Sequence, residues 1–122
     1  MEEPKRTEIA SLGEFGLIER LSSKIQNTQK STVKGIGDDA AVFAPEKGAR
    51  MLMSTDMLLE GIHFDLSYMP LQHLGYKAVA VNVSDIAAMN GIPRQVTVNL
   101  GLTNRFSVEA VEAIYDGVIA AS

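Results

Sequence analysis

A proline at one end and an Asn-Gly pair at the other bracket the stretch that most limits what this chain can fold into. Pro70 suits the first turn of a helix, where its missing N–H would be unpaired in any case. Leu71, Leu74, Ala78, Val81 and Ala88 then recur at helical spacing. Asn90-Gly91 stops the pattern, because both residues tolerate the left-handed backbone of a helix C-terminus. The spacing therefore predicts a helix over Pro70–Met89. Its buried face is rich in small residues, which permits close packing on a sheet.

The remaining pattern supplies both further helix and a sheet. Ser11 and Glu14 have the spacing of a capping box, and Phe15, Ile18, Leu21 and Ile25 follow as one apolar stripe. Gly13 and Gly16 weaken the first turn, so a loop leading into helix near Phe15 fits as well. Asn27 to Ser31 forms a polar connection, and from Thr32 the period changes. Ala40–Ala44 and Arg50–Thr55 read as strands joined by the turn Pro45-Glu46-Lys47-Gly48. The continuous apolar run Met51-Leu52-Met53 suits a strand covered on both faces. Gly61–Phe64 reads as a short strand, or as a loop carrying His63 past the strand ends. Val96, Val98 and Leu100 alternate with polar residues, as in a strand with one buried face. Ser107 is placed to cap a last helix with Val108, Val111, Tyr115 and Val118 on its inner face.

The pattern gives an α+β fold: a mixed, mainly antiparallel sheet of about four strands with helices on one face. Residues 1–10 are expected to be a flexible lead-in and 11–122 a single domain, one long enough to bury a core. The last helix lacks a closing Gly, Asn or Pro, so the chain is expected to be part of a larger protein. A net charge of −4 and scattered basic residues argue against a nucleic-acid surface. No apolar run is long enough to span a bilayer, and the charged N-terminus has no signal-peptide core. With no cysteine, disulfides and thiolate metal sites are excluded, and a cytoplasmic location is permitted.

Chemistry concentrates in three short segments. Gly35-Ile36-Gly37-Asp38-Asp39-Ala40-Ala41-Val42 puts adjacent carboxylates on a glycine-hinged bend with no Lys or Arg among them. Such a pair needs positive charge from elsewhere in the fold or from a bound cation. Ser54-Thr55-Asp56 and Asn82-Val83-Ser84-Asp85 offer further oxygen ligands. Taken singly, Asp38-Asp39 reads as a turn former, Ser54-Thr55-Asp56 as a strand end, and Asp85 as an acid tolerated near a helix C-terminus. Taken together, Asp39, Asp56 and Asp85 stand at three element ends, with Ser54 and Thr55 adding hydroxyls. Oxygen donors without matching His or Cys suit Mg²⁺ better than zinc. His63 reads either as a structural histidine or as a donor at a pocket rim. Neither a P-loop nor a dinucleotide-binding glycine turn is present.

Four motifs occur in order: Gly13-Glu14-Phe15 with Leu17-Ile18; Gly35 to Ala41; Ser54-Thr55-Asp56 with Glu60-Gly61-Ile62-His63-Phe64; and Tyr76-Lys77-Ala78 with Asn82 to Met89. The series resembles the N-terminal half of the thiamine-monophosphate kinase family, within the aminoimidazole ribonucleotide synthetase-related superfamily. The resemblance implies transfer of phosphate from ATP to thiamine monophosphate, giving thiamine diphosphate and ADP, with several Mg²⁺ ions. It carries metal binding onto Asp39, Ser54, Thr55, Asp56 and Asp85, and substrate contact onto His63. It names no residue as a general acid or base. It also implies a cytoplasmic homodimer in which the sheets of two N-terminal domains pair into a barrel. Asn90-Gly91 departs from the family's usual Gly-Ala, and the family's Gly-Gly-Asp segment and C-terminal domain would lie beyond Ser122. The acceptor phosphate has a second pKa near 6, so it is ionised at neutral pH and needs no base. Two other readings stay open: another ATP-using member of the superfamily, or a non-catalytic dimerisation domain. A selenophosphate synthetase-like enzyme would normally carry a reactive N-terminal Cys, which is absent here.

Overall fold

In the computed structural model, which describes residues 3–122, Ser107 opens the helix against which the other helices pack. Its hydroxyl accepts a hydrogen bond from the Ala110 N–H at 3.2 Å, satisfying one of the free donors of the first turn. The chain forms α1 (Ile9–Ser22), β1 (Thr32–Lys34), β2 (Val42–Phe43), α2 (Leu71–Ala88) and α3 (Val108–Ala121). The architecture is α+β, as the pattern implied. Val108, Val111, Tyr115 and Val118 are all buried, so the apolar stripe of α3 is the expected one, widened by Ile114 and Gly117.

One side of α3 receives α1. Leu17 and Leu21 join Val108, Val111 and Tyr115 in the core, with Val98, Leu102 and Phe106 packed around them. Two ion pairs at matching four-residue spacing run along this seam, Arg20–Glu112 at 2.7 Å and Lys24–Asp116 at 3.1 Å. At the start of α3, Glu109 accepts hydrogen bonds from the Thr7 hydroxyl at 2.6 Å and the Thr7 N–H at 2.8 Å. Those bonds hold its pKa at about 2, below the ordinary 4.5. Residues 1 and 2 of the expected lead-in lie outside the described residues. Thr7 and Glu8, at its other end, are held by the Val108 N–H and by a bridge to Ser107.

The other side of α3 receives α2, at very close range. A methyl group on Gly75 would overlap the Ile114 carbonyl oxygen and stand 2.8 Å from its carbon. One on Gly117 would likewise overlap the Gln72 carbonyl and stand 2.8 Å from the Tyr76 nitrogen. Two glycines thus face each other's backbones, and α2 packs on a helix where a sheet was expected.

Three local expectations differ from the structure. Gly13 adopts φ 69° and ψ −178°, which interrupts α1. The helix begins instead after Glu8, the Ser11 hydroxyl donates to the Glu8 carbonyl, and no Ser11–Glu14 capping box forms. With the register reset at Gly13, Phe15 is 77% exposed and the inner face is Leu17 and Leu21. The sheet is smaller than about four strands. Among the described residues it holds β1 and β2 alone, antiparallel, with Thr32 opposite Phe43 and Lys34 opposite Val42. Arg50–Thr55 and Val96–Leu100 lie outside any ladder. A strand needs a neighbour for its N–H and C=O groups, and neither segment has one here. Met53, expected to be covered on both faces, is 88% exposed.

Candidate functional site

Asp85 lies in the last turns of α2, where the helix dipole disfavours a carboxylate. It is met from across the chain by Ser54, whose hydroxyl donates to Asp85 Oδ2 at 3.2 Å. Leu52 brings this segment in, because its side chain lies against Gly91, where a Cβ would stand 2.6 Å from Leu52 Cδ1. Asn90, at φ 57°, makes the left-handed turn that follows the helix, and the glycine at 91 admits the Leu52 side chain. One turn before Asp85, and on the same face by spacing, Asn82 donates to the Ala78 carbonyl at 3.0 Å. Its buried Oδ1 has no partner among the described residues. Two of the three predicted segments thus meet, and their donors are all oxygen.

The third segment stays separate. Residues 36–40 form a bend between β1 and β2. Lys34, one residue before the predicted octapeptide, pairs with Asp38. That bond, helped by the Asp39 N–H at 2.8 Å, holds the Asp38 carboxyl below its usual range. Asp38 therefore shapes the turn, while Asp39 is left exposed, as are Thr55 and Asp56. Among the described residues, no three His, Asp or Glu side chains gather closely enough to hold a metal ion. The donor chemistry at Ser54, Asn82 and Asp85 suits a hard cation, which usually takes one or two carboxylates and completes its shell with water and phosphate. Asp39 and Asp56 are not drawn into a common carboxylate group with Asp85.

His63 occupies a tight turn ahead of α2. The Gly61 N–H donates to the Phe64 carbonyl at 2.7 Å and the His63 N–H to the Leu59 carbonyl at 2.9 Å, with Gly61 at φ 80°. The imidazole accepts the Leu59 N–H on Nδ1 at 3.0 Å. His63 lines a hollow of about 200 Å³ with Gly61, Ile62, Phe64, Asp65 and Tyr68. That exposed setting favours the pocket-rim reading over a core histidine. A larger cavity of about 360 Å³ lies between Arg6, Arg105 and Phe106, beside the start of α3. It includes none of the predicted site residues; of those residues the structure joins Ser54 to Asp85, with His63 at a separate turn.

Sequence reasoning missed two lysines here. The spacing of Lys34 to Asp38, four residues, was available as a charge-pairing signal. Lys77, on the second turn of α2, donates to the His63 carbonyl; it lay inside a recognised motif without a role.

Comparison with known proteins bears on this arrangement. The family described as "AIR synthase related protein, N-terminal domain" matches residues 37–122. The thiamine-monophosphate kinase of Bacillus subtilis (strain 168) is 37% identical over 107 residues, 88% of this chain and 33% of that protein. That of Aquifex aeolicus (strain VF5) is 39% identical over 110 residues, 90% of this chain and 33% of that protein. The Escherichia coli (strain K12) protein of the same name is 40% identical over 90 residues, 74% and 27% of the two chains. The chain spans about a third of the length of these curated relatives. No solved structure matches it. On the match over residues 37–122, the chain belongs to the AIR synthase related protein family, of which it carries the N-terminal domain.

Proposed function

We propose that this chain is the N-terminal, metal-binding and dimerisation part of a kinase that transfers phosphate from ATP to thiamine monophosphate. The observation that carries the reading is its 37% and 39% identity, over 88% and 90% of the chain, to proteins named for that activity. The oxygen-only donor set at Ser54 and Asp85 supports it chemically.

In this reading residues 11–122 are the domain, and Asp39, Ser54, Thr55, Asp56 and Asp85 hold Mg²⁺. When bound, magnesium reduces the repulsion between two polyanions and favours in-line transfer. The protein's own part is to present oxygen ligands from different elements. Asp85 does so from a helix, and Ser54 is steadied by its bond to Asp85. His63 contributes an N–H donor to the substrate. The acceptor phosphate is already ionised, so no general base is required. The unladdered segments Arg50–Thr55 and Val96–Leu100 supply the missing strands when a second copy pairs with them, completing a sheet of about four strands in each subunit of a cytoplasmic homodimer.

The test uses the full-length protein that carries this domain. Asp56→Asn is expected to remove Mg²⁺-dependent conversion of thiamine monophosphate while leaving the fold intact by circular dichroism. Wild-type turnover in that variant would sink the metal assignment. Failure of the unmutated protein to accept thiamine monophosphate, with activity on another phosphate acceptor, would overturn the substrate.

A further inference from the structure

Lys77 has no task in the reading above, yet among the described residues it is the one side chain that ties the main chain of His63 to a helix. Its ammonium, on the second turn of α2, donates to the His63 carbonyl. Among the described residues Lys77 takes part in no ion pair. The other bonds that close this turn, from Gly61 to Phe64 and from His63 to Leu59, are all within the turn itself. They give it shape but do not attach it to anything rigid.

The ring is fixed in a second way. Because Nδ1 accepts the Leu59 N–H, the neutral imidazole carries its proton on Nε2. Nε2–H then has no partner among the described residues, on a side chain that lines the hollow between Gly61 and Tyr68. A donor is useful to an anionic ligand only where its position is held, since loose supports forfeit binding geometry.

We propose that Lys77 is a positioning residue: it anchors the His63 turn to α2 so that Nε2–H is presented to the phosphate of the acceptor. The identity of that phosphate rests on the kinase reading, whereas the tautomer and its dependence on Lys77 do not.

Two measurements on the full-length protein test this. In kinetics with thiamine monophosphate, Lys77→Met and His63→Ala are each expected to raise KM by about tenfold with a smaller change in kcat. Because one acts through the other, the double variant is expected to be no worse than His63→Ala alone. Lys77→Arg, which keeps a donor, should recover most of the loss. Multiplying effects in the double variant would mean that Lys77 touches the ligand itself, and would overturn the proposal. The second measurement is long-range proton–nitrogen correlation of ¹⁵N-labelled histidine. His63 is expected in the Nε2–H form in the wild type and Lys77→Arg, and in a tautomer mixture in Lys77→Met. A wild-type Nδ1–H form, or an unchanged signature in a folded Lys77→Met, would refute it even where thiamine monophosphate is not the substrate.

Discussion

Gly75→Ala puts the closest contact in the fold to a quantitative test. Inside an exposed helix this change stabilises by about 1 kcal/mol, because alanine loses less backbone entropy than glycine. Here the added methyl overlaps the Ile114 carbonyl oxygen and stands 3.0 Å from the Val118 nitrogen. Both are backbone atoms of α3, so no side chain swings aside, and the two helices must move apart by roughly 1 Å. A radial gap of that size forfeits a quarter to a half of the dispersion contact at each facing atom. Leu74, Val79, Ile114 and Val118 are buried along this seam. Burial of each is worth about 1.5–3 kcal/mol, so losing about a third of the seam costs about 2–4 kcal/mol. The steric term therefore exceeds the propensity gain, and Gly75→Ala is expected to destabilise by about 1–3 kcal/mol. Urea denaturation followed by circular dichroism measures it as a lowered midpoint at constant m. Gly101→Ala, where a methyl meets nothing within 4 Å, is the control and should stay within about 0.5 kcal/mol of wild type. Gly117→Ala should resemble Gly75→Ala, and the pair together should cost less than their sum, since one separation accommodates both. A Gly75→Ala midpoint above wild type would refute the close α2–α3 crossing.

Two other perturbations address the α1–α3 side. Val111 is fully buried, so Val111→Ala is expected to cost about 2–3 kcal/mol, from two lost methyl groups and the cavity left behind, as read by the urea midpoint. An effect under about 0.5 kcal/mol would place Val111 outside the core. Glu109 has a folded pKa of about 2 against an ordinary 4.5, so the unfolded chain binds more protons between those values and stability falls as pH falls. The denaturation midpoints of wild type and Glu109→Gln should therefore differ fully above pH 4.5 and converge as pH approaches 2; curves that stay parallel across that range would contradict the Thr7–Glu109 contact.

Helices were more legible than their partners. The inner face of α3 was readable because helical burial repeats locally, every three or four residues, and needs no knowledge of what lies opposite. The same periodicity placed α2 within a residue or so at each end, but said nothing of whether a sheet or a helix would cover it. Gly75 and Gly117 were the available signal, since two glycines on apolar helix faces permit backbones to approach. In α1 a single residue outweighed part of the pattern: Gly13 interrupts the helix, so Phe15 faces water, while Leu21 and Ile25 of the same stripe still meet the core beside Leu17.

Strands depend on pairing between distant segments or separate chains, and alternation identifies a face without naming a neighbour. Of Val96, Val98 and Leu100, expected on one buried face, Val98 reaches the core while Val96 and Leu100 stay exposed, and no ladder forms there. The same limit governs the chemistry. Asp85 stands on a helix whose position is set by packing, and it is the predicted ligand that finds a predicted partner, Ser54. Asp39 sits on a bend, and Thr55 and Asp56 on a segment without strand neighbours. In the proposed function, assembly of the acidic site and completion of the sheet are therefore one physical requirement: a ladder partner for Arg50–Thr55 would also set where Thr55 and the adjoining Asp56 point, so the test of the metal assignment is also a test of the proposed pairing.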